Sequence, residues 1–272
     1  MVVRRGCFGN DEPGRLTLVP ANGYPSRFRE NPRNVASDFV YFPAMRTALI
    51  FAALATLADS ASGQGNRITD EASFTISVNG RTAGRENFRI TQTTRGEVVE
   101  YRARADVTYG DRKITPELVT TAEGGLFTYD VTTRSGSTTE SWRGGVTARG
   151  RVSAQIASGR SSSMREFIVP AGALLLDDEI IHHHWFLALR SHTGQMPVVV
   201  PRRGNVHVTF SMATVGEETL QIGNHDLAAT HLRATANGGE IHDIWVDRSG
   251  RLLKVALPAR NLVAVRDDPP PA

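Results

Sequence analysis

Cysteine is almost missing from this chain: Cys7 is its single thiol in 272 residues. No intrachain disulfide can form, and no thiolate cluster can hold a metal. Lysine is nearly as scarce. Lys113 and Lys254 are the only two, and every other base is arginine, a bias that reads as GC-rich coding. A long hydrophobic run is lacking as well. The longest, Thr47–Ala58 (TALIFAALATLA), falls short of the ~20 apolar residues that cross a bilayer. There is no GxSxG elbow, no HExxH pair and no GK[ST] phosphate loop, which removes the sequence signatures of α/β-hydrolases, zincins and P-loop enzymes.

The short apolar run has a context of its own. Met45-Arg46 precedes it and the small, polar residues Asp59–Gln64 follow it. A basic start, a short apolar centre and a small-residue cleavage zone make a secretory signal peptide. It is expected over residues 45–63, with cleavage after Ala61 or Gly63. Residues 1–44 show no apolar periodicity and read as an N-terminal extension ahead of the true start at Met45. A membrane-tethered protein with a cytoplasmic tail is the alternative, and the brevity of the run disfavours it. Arg4-Arg5 is followed by no close apolar run, so a twin-arginine signal is rejected. The exported product, free of thiols and with no cysteine after the signal to lipidate, is expected in the periplasm or secreted, with no membrane span of its own.

Removing the leader and signal changes the charge. Together they carry 7 of the 31 bases and 5 of the 28 acids, leaving 24 against 23. A net charge of about +1 is not that of a polyanion binder, so nucleic acid is excluded as a partner despite the high overall pI. The remaining stretch of roughly 210 residues can bury a real core.

That stretch alternates. Phe74, Ile76 and Val78 are spaced by Ser and Thr; Tyr101, Ala103, Ala105, Val107 and Tyr109 by Arg, Asp and Thr; Phe127, Tyr129 and Val131 repeat the rule, as do Val206, Val208, Phe210 and Met212. Each run is a strand with one dry and one wet face, as in antiparallel sheets. Turn signals separate them, among them Asn79-Gly80, Glu123-Gly124-Gly125 and Asn237-Gly238-Gly239. About ten to twelve strands are expected. The segment Leu174–Arg190 (LLLDDEIIHHHWFLALR) breaks the pattern and reads as a helix, with Asp177 or Asp178 as its cap, Glu179 in its first turn and Arg190 in its last. It divides a meander over 70–169 from another over 195–266.

A single sheet of so many strands must curl to bury its dry face. The expected fold is therefore mainly β: a strongly curved antiparallel sheet, an open or half barrel over residues 64–266, with the helix near 175–190 on its concave side. A closed barrel ranks second and a two-sheet sandwich third. The tail 267–272 (DDPPPA) is expected to be flexible.

Four segments carry a family resemblance: Gly80–Ile90 (GRTAGRENFRI), Leu175–Leu187 (LLDDEIIHHHWFL), Met196–Pro201 (MPVVVP) and Ile244–Pro258 (IWVDRSGRLLKVALP). On these the chain resembles exported bacterial β-rich proteins known only as domains of unknown function. They are similar in turn to curved-sheet periplasmic carriers of lipid or lipoprotein acyl chains. The resemblance implies a fold and a compartment. It transfers no catalytic residue.

The sharpest chemical cluster is His182-His183-His184-Trp185. On a helix, neighbours turn by about 100°, so three adjacent imidazoles fan out and cannot share one ion. Asp178/His182 and Glu179/His183 are four apart and would each share a face, giving weak two-ligand metal candidates that His207, His231 or His242 would complete. A solvated helix face with His184 half-buried beside Trp185 is the more economical reading. Asp226, His225 and Ser161–Ser163 form no triad without an elbow. Glu97, Glu100, Asp106 and Glu117 on alternating strands are ordinary wet-face carboxylates.

The functional expectation is a non-enzymatic binder of a hydrophobic or lipid-like molecule, with no cofactor. Trp185, His184, Phe127, Tyr129 and Phe210 are its candidate ligand-binding residues. A metal-dependent hydrolase built on His182–His184 and an envelope scaffold binding along a strand edge are the alternatives.

Overall fold

The computed structural model describes residues 65–271 except 149, 204 and 205. The expected extension, signal peptide and cleavage zone lie outside the described residues. The first meander runs β1 (Gly65–Val78), β2 (Arg81–Arg95), β3 (Val98–Tyr109), β4 (Arg112–Thr121), β5 (Leu126–Ser135), β6 (Thr138–Ala148), β7 (Arg151–Ser158) and β8 (Ser161–Ile168). The second runs β9 (Leu174–Leu175), β10 (Gln195–Val200), β11 (Val206–Ile222), β12 (His225–Ala236), β13 (Ile241–Val246), β14 (Leu252–Leu257) and β15 (Leu262–Arg266). All fifteen belong to one sheet, ordered β8-β7-β6-β5-β4-β3-β2-β1-β15-β14-β13-β12-β11-β10-β9. Every pairing is antiparallel except β9 on β10. Fifteen strands exceed the ten to twelve expected because β6, β7 and β8 carry few apolar residues and leave little alternation to read.

The order itself requires the curvature. Strands β8 and β9 are the two free edges, yet only residues 169–173 join them. Fourteen spacings of about 4.8 Å would hold the edges ~67 Å apart in a flat sheet. Six chain steps reach at most ~21 Å. The sheet therefore curls until its edges nearly meet, without pairing them into a closed barrel. Asn79 and Gly80 both have positive φ, 50° and 72°, the conformation that lets an Asn-Gly hairpin follow the twist of its strands.

Strands β1 and β15 join the two meanders, and a buried ion pair locks them. Arg266 Nη1 donates to Asp70 Oδ1 at 2.8 Å, and the Leu252 amide donates to Asp70 Oδ2 at 2.9 Å. The tail beyond β15 folds back: the Asp267 amide donates to the Ser73 carbonyl, and Thr75 Oγ1 donates to Asp267 Oδ1 at 2.6 Å.

The dry faces of both meanders turn toward one core, with Phe74, Ile90, Leu118, Phe210, Ile244 and Val255 among its buried members. Its centre is filled by the connector between β8 and β11. The expected helix over 174–190 is mostly absent. Leu174–Leu175 form β9, Ile181–His183 a 3-10 turn, and the α-helix α1 holds only His184–Leu189. No side chain caps either segment. Asp177 and Asp178 cannot cap because both are held by arginines from elsewhere, and Arg190 reaches back to the Gly172 carbonyl. The apolar stripe is real, but it packs against a sheet that surrounds it, so Ile181, His184, Trp185 and Leu187 are all buried.

Phe127 departs from the expected alternation. It is 48 % exposed, while Leu126 takes the inward place. A register shift between Val119 and Thr120 inserts Phe127 as a bulge, and a bulge reverses the faces on one side of it. No helix of the described residues is long and apolar enough to cross a membrane.

Candidate functional site

Polar groups fix the connector inside the sheet. Glu86 of β2 occupies an inward position between Gly84 and Phe88 and is fully buried. Its carboxylate accepts from the Ile181 amide at 2.7 Å, the His182 amide at 2.7 Å and His182 Nδ1 at 2.8 Å. Three donors on one carboxylate offset the cost of burying it. The His182 ring stacks on Phe88 with centroids 5.5 Å apart.

Asp177 is the second anchor. Tyr129 Oη donates to its Oδ2 at 2.6 Å, and Arg202 grips it with Nε and Nη2 at 2.6 and 2.7 Å. Glu179 sits beside them. Arg112 forks onto it at 2.6 and 2.8 Å, and Arg202 Nη1 lies 3.0 Å away. Burial pushes Glu179 upward, but the Arg112 hydrogen bonds and the charge of Arg202 outweigh it and leave the carboxyl lowered. Burial, reinforced by the charge of Asp177, raises Tyr129 well above an ordinary phenol. Arg202 stays charged, because Asp177 outweighs the opposing effect of burial.

The three histidines point three ways. His183 Nδ1 accepts from the Asp177 amide at 3.1 Å, which places its proton on Nε2. His184 Nδ1 donates to the Ile181 carbonyl at 2.9 Å, so its Nε2 accepts from His242 Nδ1 at 3.0 Å. Burial first, and neighbouring imidazoles second, hold His183 well below the usual range and His184 down at about 3. Both are neutral at pH 7. Glu240, 3.5 Å from His242 Nε2, is lowered to about 2, chiefly by that histidine and against its own partial burial. Four buried polar atoms of this framework have no hydrogen-bond partner: His182 Nε2, His183 Nε2, His242 Nε2 and Trp142 Nε1.

Two hollows flank this framework. The outer one, about 850 Å³, lies over the wet faces of β1–β6. Its arginines are already matched: Arg89 with Glu71, Arg104 with Glu117, Arg143 with Asp130 and Arg266 with Asp70. It therefore offers an anionic ligand no unspent guanidinium. The inner one, about 270 Å³, opens between β5–β8 and the turn Pro201–Arg203. Val131, Trp142, Ile156 and Pro201 make its apolar walls, and Arg165, Arg202 and Glu140 its charged rim.

The sequence matches no protein-family model and no curated protein. In three dimensions the chain is similar to the crystal structure of a beta-barrel-like protein of domain of unknown function DUF1849 from Brucella abortus. The two share 8 % identity with a TM-score of 0.40, over 75 % of this chain and 95 % of that one.

The expected ligand-binding residues do not all meet. Trp185, His184, Tyr129 and Phe210 are buried in the core. Trp185 packs edge-on to Tyr101 with centroids 5.1 Å apart, and Phe210 edge-on to His242 at 5.0 Å. Phe127 lies outside on its bulge. None of the five lines the inner hollow; Trp142, Ile156 and Val131 do. The metal-candidate pairs are separated by the non-helical backbone. Asp178 binds Arg260, Glu179 binds Arg112, and His182 turns to Glu86. His231 is held between Glu218 and Asp243, at 2.7 and 2.9 Å, stacked on Trp245. Among the described residues no three His, Cys, Asp or Glu side chains converge as a metal site. Two residues that sequence reasoning passed over are central: Glu86 and Arg202. Glu86 could have been found, since alternation from Phe88 and Ile90 puts a carboxylate on a dry face. Arg202 gave no local signal.

Proposed function

We propose that this chain is an exported, non-enzymatic binding protein, and that the inner hollow receives an apolar ligand. The inner hollow carries the reading. Here the dry face of the sheet opens beside the connector, with Val131, Trp142, Ile156 and Pro201 around the opening. Its ~270 Å³ lies just below the usual range for drug-sized ligands, so the ligand is a short apolar chain or one end of a longer one. Trp185 and Phe186 are buried in the packed centre beyond it.

Fluorescence titration with the neutral dye N-phenyl-1-naphthylamine tests this. Saturable enhancement at one site is expected, and Ile156→Trp, which fills the hollow, abolishes it while the far-UV spectrum stays unchanged. A dye that finds no saturable site refutes the reading. Export is tested by N-terminal sequencing of the product from the producing cell: a start near Gln64 supports it, and a start near Met1 removes it.

A second reading draws on β8. This edge strand leaves Met164 68 % and Ile168 85 % exposed on its outward side. An unpaired, partly apolar edge is a template for an added strand, as a scaffold would use. Under that reading the chain self-associates, or captures an extended peptide, in a manner lost in Met164→Lys/Ile168→Lys.

A further inference from the structure

The inner hollow is asymmetric in charge, and that asymmetry selects a class of ligand. Along the strands, Glu140 is level with Ser158 of β7 and Ser161 of β8, whereas Arg165 is level with Ala154 of β7 and Gly144 of β6. Four residues separate the two levels, about 13 Å of strand. Arg202 belongs to the Glu140 end, because it donates to Thr133 Oγ1 and Thr133 pairs with Glu140. Its guanidinium is already matched by Asp177 and Glu179. At the other end, Arg165 points inward from the edge strand and has no hydrogen-bond or ion-pair partner among the described residues. Between the ends stands Trp142, whose buried indole N–H has no acceptor.

The hollow therefore has apolar walls, an acidic end whose one arginine is neutralised, and a basic end with donors to spare. We infer that its ligand is an amphiphilic anion, whose carboxylate or other acidic head lies against Arg165 and whose chain lies along Ile156, Trp142 and Val131. This rests on the reading of the hollow as a ligand site. A head group at Arg165 gains a charge-assisted hydrogen bond, and the same head placed at Glu140 meets a like charge. A cationic amphiphile meets the reverse arrangement.

The test compares three eight-carbon ligands against the full chain by competition with N-phenyl-1-naphthylamine: octanoate, 1-octanol and octylamine. Octanoate is expected to bind about two- to fivefold more tightly than octanol, the range of one partly exposed ion pair, and octylamine more weakly than both. Arg165→Gln should bring octanoate down to the level of octanol and leave octanol unchanged. High salt should narrow the difference. If octanoate and octanol compete equally, or octylamine competes best, the inference falls while the hollow remains a binding site. If none of the three competes and the dye itself finds no site, both readings fall. If Arg165→Gln alters solubility and not ligand preference, the arginine is an inward charge guarding the sheet edge, and the inference is likewise overturned.

Discussion

His183 and His184 should make the fold acid-labile well above the range where carboxylates titrate. Both rings are neutral and buried, His184 held down at about 3 and His183 well below its usual value. In the unfolded chain each regains a pKa near 6.5. As pH falls below that value the unfolded state takes up protons that the folded state refuses. Stability is therefore full above about pH 6.5 and is lost on acidification until the folded rings themselves titrate. Each proton contributes ~1.4 kcal/mol per pH unit. Integrated from pH 7 to pH 5, one such histidine costs about 2 kcal/mol and the pair about 4 kcal/mol. Against a typical total of 5–15 kcal/mol this is a large loss. Urea denaturation followed by tryptophan fluorescence at pH 7, 6 and 5, at constant ionic strength, measures it. The variant His183→Gln/His184→Gln starts from a lower stability but should lose about 4 kcal/mol less over the same interval, and His184→Gln alone about half of that. Parallel decline of wild type and double variant would refute the argument, because it would place the proton-linked groups elsewhere.

Glu86→Gln keeps the shape and removes the charge that three donors share, so it should lower stability by about 2–4 kcal/mol in the urea midpoint; a change under ~0.5 kcal/mol would show that the anchor contributes little. Trp185→Ala should cost about 3–5 kcal/mol as a core truncation, whereas Phe127→Ser, on its exposed bulge, should stay within about 0.5 kcal/mol. Gly84→Ala places a Cβ 2.4 Å from the Thr108 carbonyl oxygen and 2.7 Å from Cδ1 of Tyr109. The β2–β3 backbone must shift, loosening the Tyr109 hydrogen bond to the Glu179 carbonyl, and a loss of about 1–3 kcal/mol in thermal or urea melts is expected.

Much of the architecture could be read before any coordinates. The alternation named the dry-face residues Phe74 and Ile76 of β1, Ala103 and Val107 of β3 and Phe210 of β11, and the single break in pattern marked the segment that fills the curl. What was not legible depended on distant partners. The connector looks like an amphipathic helix because burial on nearly every side satisfies the same spacing. Its backbone is instead set by Glu86, which lies 96 residues earlier and takes the His182 amide. The histidines fan out as three adjacent positions must, and two of the rings take partners from distant strands, His182 from Glu86 and His184 from His242. The bulge at Phe127 and the hollow beside Trp142 arise from register and from where the Pro201–Arg203 turn falls. No local pattern encodes either.

The pairing of β1 with β15 has a consequence for biogenesis. Asp70 and Arg266 meet across 196 residues of chain, so the seam between the two halves cannot zip until almost the whole domain has left the ribosome. Before then each half presents an unsheltered greasy flank. Such a polypeptide closes its core late and slowly, only after both meanders have been made.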